Sequence, residues 1–271
     1  MKRITSSLLF LIALLPIRGS AQSDTLRSNK TITNMRMVGV GTASVLDTYL
    51  SQENYNGPEI TYLSHTTREA EDGRWSKQLV HQGRFAYLNN RAGNGRELSG
   101  DYTFEYSLLY GWKLLQNKLM LRAGGMADAH VGFLYNTRNS NNPAQAKAQL
   151  SIAAAVSANY RFRLCKSHHH VRYELSVPLA GLVFSPNYGQ SYYEIFSRGN
   201  YDHNIVPTYP GNMPSLRQMV TIDFNLLHST FCIGYLGNYQ QAKVNNLKYH
   251  HYSHTFIIGV VKKFQLIKIR P

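Results

Sequence analysis

From residue 101 to 112 the side chains alternate: Tyr102, Phe104, Tyr106, Leu108, Tyr110 and Trp112 hold the even positions, against Asp101, Thr103, Glu105, Ser107, Leu109 and Gly111. Successive side chains of a strand point to opposite faces, so this stretch predicts a strand with one apolar and one mostly polar face. Residues 145–164 repeat the pattern, with Leu150, Ile152, Val156, Tyr160 and Phe162 among the even positions and Gln145, Lys147, Gln149, Ser151, Arg161 and Arg163 among the odd. Such a run, at about 3.3 Å per residue, is longer than a globular strand needs. Residues 119–135 set Leu119, Leu121, Val131, Phe133 and Tyr135 against Arg122, Met126, Asp128 and His130. Residues 171–183 set Val171, Tyr173, Leu175, Val177, Leu179 and Val183 against Arg172, Glu174, Ser176 and Pro178.

Weaker alternation marks Thr33–Gly41, Glu59–Thr66, Trp75–Leu88, Gln218–Leu226, Thr230–Gln240 and Lys248–Leu266. The total is about ten strands, with eight to twelve as the range. The connections also alternate. One set comprises Ala43–Pro58, Asn89–Gly100, Asn136–Ala144, Phe184–Arg217 and Gln241–Leu247; the other comprises Thr67–Arg74, Leu115–Lys118, Cys165–His170 and Leu227–Ser229. Long external loops and short periplasmic turns are the signature of an outer-membrane barrel. The predicted fold is therefore all-β, a transmembrane antiparallel up-and-down β-barrel. A soluble exported β-sandwich is the rival, and it calls for shorter strands and polar outer faces. Trp75 and Trp112 fall near periplasmic strand ends, and Tyr87, Tyr102, Phe133 and Tyr135 near external ones, as interfacial belts require. The last stretch carries Phe256, Ile258, Val260, Phe264 and Leu266 at alternate positions, the form of a final strand read by barrel assembly machinery; Lys262 and Lys263 interrupt it as snorkelling residues.

The mean hydropathy of −0.32 does not oppose this reading, because only alternate residues of a barrel strand meet lipid. Residues 1–21 read as a secretory signal peptide: Lys2-Arg3, an apolar run from Ile4 to Ile17, then Gly19-Ser20-Ala21. Cleavage after Ala21 leaves residues 22–271 as the barrel domain and delivers it to the outer membrane. It also lowers the formal net charge from +14 to +11, since Lys2, Arg3 and Arg18 depart.

With the polar face inward, the lumen holds Asp101, Glu105, Asp128, Glu174 and Asp223 against Arg122, Lys147, Arg161, Arg163 and Arg172, which is close to neutral. The basic excess is then expected in loops and turns, facing outer-membrane lipid headgroups or lipopolysaccharide phosphates rather than nucleic acid. A bore of about ten strands is narrow enough for side chains to plug it. The turn at Gln116-Asn117 sets Glu105 opposite Asp128. Such a carboxylate pair, with His130 nearby, could do acid/base chemistry, or be neutralised by Arg122, Lys147 or Arg161 as structure. Ser64-His65 and His130 are the only hints of a lipid hydrolase, and no spacing fixes a triad. His168-His169-His170, and His250, His251 and His254, read as solvated rather than metal-binding, so no metal or cofactor is expected. Cys165 and Cys232 lie on strands too far apart to pair.

The Phe184–Arg217 connection is rich in aromatics: Tyr188, Tyr192, Tyr193, Phe196, Tyr201 and Tyr209. Either they fold inward as a lid or they present a recognition surface for a glycan or protein. Leu46-Asp47-Thr48-Tyr49-Leu50-Ser51 with Tyr55-Asn56-Gly57, Pro178-Leu179-Ala180-Gly181, and the Gly189–Phe196 stretch together resemble an uncharacterised family of outer-membrane proteins from gut Bacteroidetes. The resemblance spans most of the mature chain. It implies a barrel and no agreed activity, and it implies that Asp47 and Tyr49 are tied to the aromatic loop. The expected binding residues are accordingly Asp47, Tyr49, Tyr188, Tyr192, Tyr193, Phe196 and Tyr201. The expectation is a non-porin binding or structural surface protein, with a lipid-modifying barrel enzyme and a small-solute channel as alternatives.

Overall fold

The computed structural model describes residues 29–140, 142–164, 167–226 and 229–267. Residues 1–21, read above as a signal peptide, and Cys165 lie outside the described residues. The strands are β1 (Asn29–Asp47), β2 (Tyr55–Glu69), β3 (Trp75–Asn90), β4 (Arg96–Leu114), β5 (Leu119–Asn136), β6 (Ala144–Leu164), β7 (Ser167–Phe184), β8 (Ile205–Thr208), β9 (Ser215–Leu226), β10 (Ser229–Val244) and β11 (Leu247–Ile267). One short helix, α1 (Tyr192–Phe196), lies between β7 and β8.

Ten of these strands close an antiparallel ring. Each long strand pairs with its successor, β7 pairs with β9, and β1 pairs with β11 from Asn29↔Ile267 to Asp47↔Tyr249. Closure removes both sheet edges, so no long backbone ladder is left unpaired. The rim opposite the strand-joining turns carries the long connection from β7 to β9, and we call it the loop end; the other is the turn end. Strands run past the predicted limits: β1 and β2 take most of the Ala43–Pro58 connection, leaving 48–54. At the β10–β11 hairpin only Asn245 and Asn246 remain outside the ladder, with φ of 50° and 60°, a left-handed conformation that asparagine tolerates.

The alternation sorts as predicted. Val38, Val40, Ile60, Leu150, Ile152 and Phe256 stand exposed on the outer wall. Trp75 and Trp112 flank Tyr110 edge-on near the turn end, and Tyr87, Phe133 and Tyr135 are exposed near the loop end. Burial of the inner wall is partly apolar: Met35, Met37, Leu63, Val80, Met219, Cys232, Leu236, Ile257 and Val261 pack into one cluster inside the ring.

One strand departs from its predicted phase. The β6–β7 register shifts between Ile152↔Ala180 and Ala153↔Pro178, which leaves Leu179 as the extra residue of a bulge. Beyond it the faces exchange, so Leu182 is exposed outside while Val183 lines an interior cavity; the placement of Val183 on the outer face is corrected.

Candidate functional site

Inward phase brings seven polar side chains from β2, β3, β4, β5 and β11 into one largely buried network near the loop end. His251 Nε2 meets Glu59 Oε2 at 3.1 Å, and its Nδ1 lies 3.6 Å from Asp101 Oδ2. Asp101 also receives His130 Nε2 at 3.2 Å and Arg84 at 3.5 Å. Ser253 donates to Glu59, and His130 Nδ1 completes the chain with Thr103 Oγ1 at 3.1 Å. Buried charges are tolerated only when paired and hydrogen-bonded, so each of these groups is held by the others.

The predicted pair also forms: Glu105 sits opposite Asp128 in the β4–β5 ladder. Its neutralising partner is not the expected one. Arg217 from β9 approaches Glu105 at 3.4 Å, and Asp128 accepts from Ser151, whereas Lys147 lies at the loop end and Arg122 at the turn end. Glu105, Asp128 and His130 line a common cavity of about 50 Å³, room for one or two waters but no lipid. Ser64 and His65 face opposite sides of the wall, and buried His65 pairs instead with Glu174 at 3.1 Å. The lumen is not a balanced set either, since Arg122, Arg161 and Arg172 gather at the turn end, away from Asp101 and Glu105.

At the loop end Asp47 is buried. It pairs with Lys147, faces the amide of Gln145, and accepts from Tyr49 N at 3.0 Å. Lys147 also lies over the Tyr249 ring, 3.9 Å from its centroid. Tyr49 carries the contact onward, its hydroxyl donating to Gln190 O at 2.9 Å and its ring meeting Tyr192 edge-on at 6.0 Å. The structure thus joins Asp47 and Tyr49 to the long connection through Gln190 and Tyr192.

That connection is ordered by its own capping. Ser191 and Glu194 form a reciprocal capping box at α1, with Glu194 accepting from Ser191 N at 2.7 Å. Those donors hold the Glu194 carboxyl below its ordinary range. Burial pushes the Tyr192 phenol well up, and burial followed by the Asp47 carboxylate raises Tyr49. Tyr192 accepts from Ala146 N at 2.7 Å and stacks with Phe196 and, tilted, with Phe184. Asn204 donates to Gln190 at 2.7 Å, and Asn245 donates to Ser185 O and His203 O. The covering parts are Gln190, Ile195, Asn204 and Met213, all buried. Five of the six aromatics do the reverse of a lid: Tyr188, Tyr193, Phe196, Tyr201 and Tyr209 are between 59% and 69% exposed, while Tyr192 is half-buried.

The histidines at 250, 251 and 254 part company. His251 is interior, His250 stacks on Tyr252 at 4.6 Å, and His254 bonds Tyr235 at 2.7 Å outside. Among the described residues no three metal-ligating side chains converge. Sequence reasoning passed over Glu59, Arg84, Arg217 and Ser253, and it read His251 as solvated, whereas the structure buries it against Glu59. The signal was parity: Ile60 and Tyr62 outside fix Glu59 inside, and Phe256 and Ile258 outside fix His251, Ser253 and Thr255 inside.

None of the curated proteins matches this chain. Among solved structures, the outer membrane protease OmpT from Escherichia coli is similar, with TM-score 0.47, 8% identity, and coverage of 90% of this chain and 99% of that one. The translocator domain of the autotransporter NalP from Neisseria meningitidis gives TM-score 0.35 and 8% identity over 89% and 90%. Ail, the attachment invasion locus protein of Yersinia pestis, gives 0.30 and 8% over 85% and 98%. At the level of sequence the family described as protein of unknown function (DUF3316) matches residues 7–271, and the chain belongs to that family.

Proposed function

We propose that this protein is an outer-membrane barrel with a closed bore, acting at the cell surface as a binding or structural protein rather than as a porin. The observation that carries the reading is the filled lumen. The apolar cluster of Met35, Met37, Leu63 and Ile257 occupies one level, the Glu59–His251–Asp101–Arg84 network a second, and the Asp47–Lys147 pair under the long connection a third. A cavity of about 30 Å³ beneath the covering segment has room for about one water. A solute channel needs a continuous path, and a lipid-modifying enzyme needs its acids and histidine at an open rim; Glu105, Asp128 and His130 face neither.

Under this reading the exposed outer band contacts lipid, the loop end faces outward where lipopolysaccharide stands, and the turn end faces the periplasm. The ligand surface is the cluster Tyr188, Tyr193, Phe196 and Tyr201, whose flat apolar faces and hydroxyl edges suit a glycan or a protein. Export by the signal peptide and insertion by barrel assembly machinery at β11 complete the reading. A source among gut Bacteroidetes is inferred on the sequence resemblance alone. The test compares unboiled and boiled detergent extracts on a gel, with single-channel recording of the same sample. A mobility shift without conductance is expected; steady conductance would overturn the closed bore, and no shift would overturn the barrel in the membrane.

A further inference from the structure

The turn end of the barrel holds a third, open cavity of about 360 Å³, equal to roughly a dozen waters at about 30 Å³ each. Its lining carries Lys113 from β4, Lys118 from the following turn, Arg122 from β5, Arg161 from β6, Arg172 from β7 and Lys263 from β11. Glu69 is the only carboxylate among the described residues that line it, and it is taken by Arg122; buried Asp223 of β9 lies behind Arg172 and Lys263, so two carboxylates stand against six cations. The cations come from the adjacent strands β4 to β7 and from β11 across the ring, and they point inward, so they do not meet the headgroups around the outer wall. Lys263 shows the parity: Lys262 next to it faces out, while Lys263 turns into the cavity.

Arg122 is 5% exposed, and its Nε has no hydrogen-bond partner among the described residues. Arg172 donates to Asn159 Oδ1 at 3.0 Å and lies against the Met35 sulfur, at the edge of the apolar cluster. That cluster makes the cavity a dead end. Like charges converging on a partly dehydrated pocket repel one another, and a multivalent anion relieves that repulsion; guanidinium groups match phosphate oxygens two at a time.

We propose that this vestibule is a binding site for a phosphate-bearing anion carrying at least two charges, separate from the aromatic surface at the other end. The chemistry is shared by free polyphosphate-type anions and by a phospholipid headgroup entering from below. The experiment titrates the detergent-solubilised mature protein with inorganic pyrophosphate at low ionic strength by calorimetry. One-to-one binding is expected, weakening steeply with salt. The Arg161→Gln/Lys263→Gln variant should bind at least about tenfold more weakly, and Lys243→Gln/Lys248→Gln at the loop end should stay within about twofold of the unaltered protein. Should the first pair fail the gel-shift test for folding, Lys113→Gln/Lys118→Gln on the exposed turn side should still weaken binding about threefold or more. Absence of pyrophosphate binding, insensitivity to both vestibule pairs, or equal sensitivity to the loop-end pair would each overturn the site. Micelles doped with cardiolipin, whose two phosphates carry two charges, then assign the source: displacement of pyrophosphate supports the headgroup, and undisturbed binding supports the free anion.

Discussion

Asp47 and Lys147 lie 100 residues apart in sequence and meet across the mouth of the barrel, from β1 and β6 on opposite sides of the ring. The pair is a strut, because it ties diametrically placed staves and anchors the turn that carries Tyr49. Both side chains are largely buried, so removing one strands the other's charge.

Asp47→Ala is expected to destabilise the folded barrel by about 3–5 kcal/mol, the usual consequence of leaving a buried charge without its partner. Asp47→Ala combined with Lys147→Ala should be milder than Asp47→Ala alone. The temperature at which the gel mobility shift is lost measures both, and a double variant worse than the sum of the singles would sink the strut.

Tyr192→Phe removes only the acceptor for Ala146 N and should cost about 0.5–1.5 kcal/mol. Tyr192→Ala also removes the stack with Phe196 and the edge contact with Tyr49. Limited proteolysis within residues 185–214 should therefore be barely faster for the first and much faster for the second. Equal rates would mean the ring does not hold the connection down.

The Glu194 carboxyl sits below its ordinary range because Ser191 donates to it. A lowered value means that its contribution is complete above the ordinary carboxylate range and is lost as pH falls through the lowered one. Protease resistance of the connection is expected to be flat from about pH 7 down to about pH 5 and to fall below about pH 4, near the carboxylate range. Glu194→Gln keeps a capping-box acceptor and should flatten that fall.

Leu63→Ala and Met37→Ala each open space in the interior cluster and should cost about 2–5 kcal/mol in urea unfolding. Conductance should remain absent in both, because the Glu59–His251–Asp101–Arg84 layer still closes the bore. A variant that conducts would show the apolar level alone to be the seal.

Strand number, ring closure and the inward face of most strands were readable in the chain, because an apolar outer wall and a packed, largely polar interior enforce a period of two. The Glu105–Asp128 pairing was readable as well, since a short turn fixes register. Three things were not. The Leu179 bulge inverts β7 without any change in composition, so Val183 was placed outside. Arg217 of β9 and His251 of β11 reach Glu105 and Asp101 from non-adjacent strands, and tilt around a closed ring decides which residues share a level; no local pattern encodes that. The aromatics of the long connection were read as a choice between lid and surface, whereas the structure divides the labour between buried polar and aliphatic residues below and exposed rings above.

The place of β8 has a consequence for how such a surface can diversify. Above the bulge β7 pairs with Ile205–Thr208 instead of β9, so the long connection supplies part of the wall itself. A segment that doubles as a stave cannot be lengthened, shortened or exchanged as a cassette without opening a seam. Variation among relatives should then be written in side chains such as Tyr188, Tyr193 and Tyr201, while insertions and epitope tags belong in the short connection at residues 91–95.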